Sequence, residues 1–294
     1  MMSQKLPPVA GKMASFQVFR YQLVVDKAIQ LDIEGKYNTP DQIRAAKNDI
    51  FQELISNEKF HFQSSKSEIT SKLIYSDASL SYFKVGVKRN LKHINKDFSE
   101  DVIENYPNII TAINNDPNVQ KIAIQTNTNA FKSSNIVSHF IEETIDRKLK
   151  SKNLSFFVEP MFDKQEFWNM VEKYQKRIKK VTFDLISPNL PEVSKNLTVD
   201  LNLKQLYEDT NTLKTKLELG ADDGRHLEIN PSSSLINGLV NYSADGGGDI
   251  SMRVMGMRNK LHTAQSPREF SVEEQLLKSN DWDALNEAFK DILI

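Results

Sequence analysis

The chain has 294 residues, 39% of them apolar and 26% charged, with a formal net charge of −1 and no cysteine. That composition belongs to folded globular proteins, is long enough for one large or two ordinary domains, and excludes disulfides, thiolate metal sites and cysteine nucleophiles. The near-neutral total argues against a protein that coats nucleic acid through bulk charge.

No run reaches the roughly 18 to 20 apolar residues that a membrane helix needs, and MMSQKLPPVAGK at the start lacks the apolar core of a secretory signal. A cytoplasmic protein with no membrane partner is expected. The charge is divided unevenly: residues 1–180 hold 27 Lys/Arg against 21 Asp/Glu, and residues 181–294 hold 11 against 18. The expected organisation is a flexible tail over 1–13, a basic N-terminal α+β lobe over 14–180 and an acidic C-terminal α+β lobe over 181–294. Such asymmetry has two readings, an anionic ligand on the first lobe or attraction between lobes or subunits.

In chain order, FQVFRYQLVV (16–25) alternates apolar and polar residues and predicts a strand. Thr39, Pro40 and Gln42 open a helix over 40–56 with a capping hydroxyl, a proline at the first helical position and a glutamine at the third. FHFQ (60–63), EITSKLIYS (68–76) and SYFKVGVKRNLKHI (81–94) alternate again and predict an antiparallel meander, followed by a surface connection from Asp97 to Asn108. IITAIN (109–114) and VQKIAIQT (119–126) flank the turn Asn115-Asp116-Pro117-Asn118 and should form a central hairpin. A helix capped by Ser133 or Ser134 runs to Lys150, LSFFVEP (154–160) is a strand, FWNMVEKYQKRI (167–178) a helix, and KVTFDLIS (180–187) a strand stopped by Pro188 and Pro191. Beyond these, Leu201, Leu203 and Leu206 lead a helix to about Asn211, LKTKLEL (213–219) is a strand, and SSSLINGLVNYS (232–243) is a helix. Gly246-Gly247-Gly248 reverses the chain into ISMRVMG (250–256), and a helix from about Val272 or Asn280 ends the chain. The fold class is α+β: a mixed, largely antiparallel sheet with amphipathic helices packed on it, in two lobes.

Catalytic signatures are missing from this pattern. The five histidines, His61, His93, His139, His226 and His262, show no metal-binding spacing, and there is no G-x-S-x-G elbow or Walker sequence, so no catalytic residue, metal or cofactor is assigned. Asp222, Asp223 and Glu228 are the nearest approach to a metal-dependent nuclease set, against the reading of a solvated turn. The triple glycine could offer amides to a phosphate, but Asp245 and Asp249 flank it, which favours a tight turn. The remaining candidates are basic: Lys84, Lys88, Arg89 and Lys92 on one strand, Lys148, Lys150 and Lys152 at one helix end, and Lys176, Arg177, Lys179 and Lys180 at the next. Even spacing puts Lys84, Lys88 and Lys92 on one strand face. Contiguous, the three sets form a phosphate-tracking stripe; scattered, they are solubilising charge.

The succession of the N-terminal meander, YPNIITAINNDPNVQKIAIQTN, an amphipathic helix, LSFFVEPMF, an FW-containing helix and VTFDLISPNLP resembles RexA-like phage-exclusion proteins and related phage-defence-associated proteins. In that family a comparable strand leads into a short segment whose counterpart here is Phe157-Val158-Glu159-Pro160-Met161-Phe162, and the likeness runs over about residues 60–260. The resemblance implies a cytoplasmic, homodimeric, DNA-associated defence component and supplies no catalytic residue; together with the basic first lobe it gives the expectation of DNA binding with little base specificity. Two alternatives stand beside it: an interaction subunit docking on a neighbouring defence protein, and the metal-dependent nuclease.

Overall fold

The computed structural model describes residues 11–26, 37, 39–187 and 203–293. Expectations at residues 1–10, Pro188, Pro191 and Leu201 fall outside them. The fold is α+β, every strand ladder among the described residues is antiparallel, and no described helix is long and apolar enough to cross a membrane.

The first strand, β1 (Met13–Val25), organises the larger sheet. Next come α1 (Pro40–Ile55), capped by Thr39, whose hydroxyl accepts the Gln42 amide at 3.3 Å, then β2 (Ile69–Ser76) and β3 (Leu80–Val87). β4 (Arg89–Ile94) and β5 (Glu100–Asn105) pair only with each other as a ribbon. β6 (Asn108–Asn114), β7 (Lys121–Gln125), α2 (Ser134–Leu149), β8 (Leu154–Pro160) and α3 (Lys164–Tyr174) follow. A second sheet is built from β9 (Ile178–Ile186), β10 (Lys214–Gly220), β11 (Gly248–Val254) and β12 (Leu261–His262), with α4 (Leu203–Thr210) and α5 (Ser234–Tyr242) between its strands. The chain ends with β13 (Glu269–Glu273), α6 (Glu274–Ser279) and α7 (Trp282–Leu293).

In space the first sheet runs β13-β1-β7-β6-β3-β2, with β8 also on β1; the second runs β10-β9-β11-β12. Phe19, Tyr21, Leu23 and Val25 of β1 face a core shared with α1 and α2, where Phe51, Phe140, Ile141 and Phe156 are buried. On the opposite face, Phe16 packs on Phe289 of α7, and Val24 packs on Ile186 and Tyr207 from the second sheet's side. Burying one large apolar side chain contributes about 1.5–3 kcal/mol, so this strand alone ties three groups of elements together. Behind the second sheet, Phe183, Leu185, Ile250 and Met252 bury against Phe167 of α3 and Leu239 of α5.

A buried polar network spans the first core. The Tyr21 hydroxyl donates to Asn115 Oδ1 at 2.8 Å, the Asn48 amide to the same oxygen at 3.0 Å, and the Asn115 amide to Asn48 O at 2.8 Å and Gln52 Oε1 at 3.0 Å. This network clips α1 to the β6–β7 turn. The free edge of β8 is closed by helix carboxylates: Phe156 N donates to Asp146 Oδ1 and Val158 N to Glu142 Oε2, both at 3.0 Å, which blunts an edge open to foreign strands.

Several expectations need correction. FHFQ is extended without being a strand, because its amides go to side chains: Phe62 N to Ser71 Oγ and Gln63 N to Thr144 Oγ1, each at 2.9 Å. The run 81–94 breaks at Lys88, and its second part pairs with residues expected to be a loop, since both faces of the ribbon are exposed and leave no apolar period. α3 starts at Lys164 on its Asp163 cap and stops at Tyr174. β9 begins before residue 180, and β13 and α7 return from the C-terminal part to the first sheet, so the sheets do not divide at residue 180.

Where the second sheet meets β1 and β8, the Tyr207 hydroxyl donates to Val25 O, the Tyr242 hydroxyl to Ile186 O, and Phe162 N to Ala244 O at 3.1 Å. Glu159 of β8 sits in this seam. Burial, reinforced by Glu142, Asp249 and Asp184 and opposed by Lys214, raises its carboxyl to about 8. Folded Glu159 therefore keeps a proton that the unfolded chain has lost above its ordinary carboxyl range. Stability falls as pH rises from about 4.5 to about 8 and levels beyond.

Two outcomes follow for denaturant unfolding. Asn115→Ala leaves the Tyr21 and Asn48 donors short of an acceptor and should cost about 2–3 kcal/mol at pH 7 in urea melts. Glu159→Gln should match the parent near pH 4 and exceed it by about 1–2 kcal/mol at pH 8, less than the whole shift because the half-buried carboxyl keeps some water; equal pH profiles would refute the assignment.

Candidate nucleic-acid interface

The predicted basic residues occupy both faces of the first sheet and parts of the second. Lys84 shares its sheet face with Tyr82, which packs on α7, and lies opposite Lys72 of β2, also exposed. Lys148, Lys150 and Lys152 end α2, which covers the other face. Lys88 lies between β3 and β4, so even spacing does not carry the face of Lys84 on to Lys92: the strands before and after it belong to different sheets.

Carboxylates neutralise several of them. Lys88 lies 2.5 Å from Glu104 and 3.7 Å from Glu68, Lys92 2.9 Å from Glu100, Lys150 3.3 Å from Asp146, and Lys180 2.6 Å from Glu218. The Lys88–Glu104 hydrogen bond holds the ammonium above its ordinary range and the carboxyl below its own. Exposed pairs of this kind stabilise the fold little, but they cancel the field a phosphate would feel. Others are tied to backbone carbonyls: Arg89 to Ala130 O at 2.8 Å, Arg177 to Met255 O at 2.7 Å, and Lys179 to Arg225 O. Arg177, Lys179 and Lys180 lie in a turn and on β9, beyond the end of α3, so no helix dipole explains them. Lys176, with a left-handed φ of 57°, lines a cleft of about 450 Å³ beside Trp168 and His226, where Glu172 and Glu228 oppose anions.

One place does gather cations around a floor that a base could stack on. At the C-terminal ends of α1 and α2, a cleft of about 370 Å³ is lined by Lys59, Lys148 and Lys152, with Glu53 as the one carboxylate among the described residues of its lining. Ile50, Leu54, Phe60 and Leu149 supply apolar surface, and Tyr37 adds an aromatic ring. Lys148 Nζ stands 5.9 Å from the centroid of the Phe60 ring, within cation–π range. The geometry arises locally: α2 passes into a short 3₁₀ turn over Lys150–Lys152 and ends on Asn153 in the left-handed region, which puts Lys148 and Lys152 on one rim. Lys59 and Phe60 were missed in the sequence because FHFQ reads as a strand and Lys59 is solitary; Tyr37 carries no pattern at all.

Two of the five histidines serve structural bonds: His61 Nδ1 meets Ser71 O at 2.9 Å, and His262 Nδ1 meets Asp249 Oδ2 at 2.6 Å. Among the described residues no group of three or more His, Asp or Glu converges to hold a metal, so Asp222, Asp223 and Glu228 do not make the nuclease triad. No protein-family model, curated protein or solved structure matches the chain.

Proposed function

We propose that the protein is a cytoplasmic, non-enzymatic phage-defence component that binds DNA as a homodimer, with little base specificity, and that the contact centres on the Lys59–Lys148–Lys152 cleft. One observation carries this reading: three ammonium groups stand around an apolar and aromatic floor, the combination that grips a phosphate chain while accepting any base face. The resemblance to RexA-like proteins supports the defence context. A contact through a cleft of this size favours unpaired or frayed strands over a continuous duplex stripe.

The ribbon favours a role in assembly. Leu91, Ile94, Phe98, Val102 and Ile103 are exposed on β4–β5 and its tip, Phe98 by 87%, and an isolated two-stranded ribbon is marginal in water. Its charges are divided by strand, Arg89 and Lys92 on β4 and Glu100, Asp101 and Glu104 on β5, so the basic strand of one copy and the acidic strand of a second are complementary. A neighbouring defence protein is the second reading of the same surface.

Mobility shifts with 20-nucleotide single strands and duplexes at about 50 and 200 mM salt test the binding. Affinity should fall steeply with salt, and the double variant K148A/K152A should bind at least tenfold more weakly, with the salt slope reduced by one to two. Absence of a shift at low salt removes the proposal. In sedimentation, Ile94→Ser with Val102→Ser should convert dimers to monomers; a parent that sediments as a monomer and co-purifies with a neighbouring gene product instead selects the second reading.

A further inference from the structure

Arg20 of β1 and Lys121 of β7 are cross-strand partners and share the sheet face turned toward the second sheet. Arg268 is held beside them by its backbone, its N–H donating to Met161 O at 2.6 Å and its carbonyl accepting Val18 N at 2.9 Å. The turn Ser243–Gly247 closes over the group. Gly246, at φ 82°, is seated so tightly on Arg20 that a Cβ there would lie 2.4 Å from the arginine's own. Asp245 of that turn and Arg268 line an open cleft of about 570 Å³ together with Lys164, Asn241 and Asp163.

From this geometry we infer that the cleft at the seam is a binding site for a small phosphate-bearing anion, with Arg268, Lys164 and Asn241 as its direct donors and Arg20 and Lys121 supplying field from behind. Four cations meet two carboxylates, and Asp163 is engaged as the cap of α3, accepting Gln165 N at 2.9 Å. Asp249 faces away from the cleft, held by His262 Nδ1, the Thr263 hydroxyl and Ala264 N. Glu159, the partner of Arg20 on its other side, keeps its proton near neutrality and contributes no full counter-charge. The excess of positive charge is felt: burial, then Arg20 and Arg268, lower the Lys121 ammonium to about 8 against the pull of Asp245. A dianion relieves that repulsion, and a fork of guanidinium donors beside an ammonium suits phosphate oxygens. The volume admits a phosphate ester of mononucleotide size and excludes a duplex.

Calorimetric titration of the full chain with inorganic phosphate, at ionic strength fixed with sodium chloride, should show saturable binding. Arg268→Ala and Lys164→Ala, both at exposed positions, should each weaken it at least tenfold without moving the thermal midpoint measured in chloride alone. K148A/K152A should bind phosphate as the parent does, which separates this site from the cleft proposed for DNA. Heats no larger than dilution, undiminished binding by either seam variant, or loss of binding in K148A/K152A overturns the inference.

Discussion

The fold depends on one strand being buried on both faces and paired along both edges. β1 contacts β7 on one side and β13 and β8 on the other, while its two faces meet the α1/α2 core, α7 and the second sheet. A strand so placed would ordinarily be apolar throughout. Arg20 and Gln22 break that rule where the turn Ser243–Gly247 covers them, and Gln22 Nε2 reaches Gly246 O at 3.3 Å. Polar residues at that point fix where the second sheet docks, because an apolar patch would accept many registers and a hydrogen-bonded one accepts few.

The same constraint decides where charge ends up. Read along the chain, positive charge collects before residue 180 and negative charge after it. In space the C-terminal segment 269–293, with seven Asp/Glu and two Lys, folds back through β13 and α7 onto the first sheet. The basic sets are then parted by the sheet itself, since Lys84 shares the face of α7 whereas the lysines of α2 belong to the other. Local pairing takes most of what remains: carboxylates of the ribbon, of α2 and of β10 stand within ion-pair distance of Lys88, Lys92, Lys150 and Lys180.

Elements with at least one buried face were legible in the sequence because alternation, helical spacing and capping residues mark them. β1, α1, β2, the β6–β7 hairpin, α2, β8, β9 and β10 lie within a few residues of where alternation and capping place them. The ribbon's second strand was not legible: with both faces wet, Glu100–Asn105 has no reason to alternate and reads as an acidic loop. FHFQ failed for the opposite reason, since Phe60 and Phe62 are buried as strand residues would be while their backbone bonds go to Ser71 and Thr144. The clefts were least visible. Lys59 and Lys148 are 89 positions apart and Arg20 and Arg268 are 248 apart, so only the folded topology brings their elements together.

The triple glycine joins these threads, because each of its members is required for a different steric reason. A Cβ on Gly246 meets Arg20, one on Gly247 meets the Tyr242 ring at 2.3 Å, and one on Gly248, at φ 145°, meets Asp184 O at 1.9 Å. The turn thus touches the larger sheet, α5 and the second sheet within three residues, and no side chain fits at any of them. Its closeness to Arg20 is what holds Asp245 at the cleft, and its path into β11 is what turns Asp249 the other way, toward His262. Two carboxylates that flank the glycines in sequence, and that together argue against an anion, are therefore separated by the turn itself. Backbone sterics at the seam set the local charge that a ligand meets there.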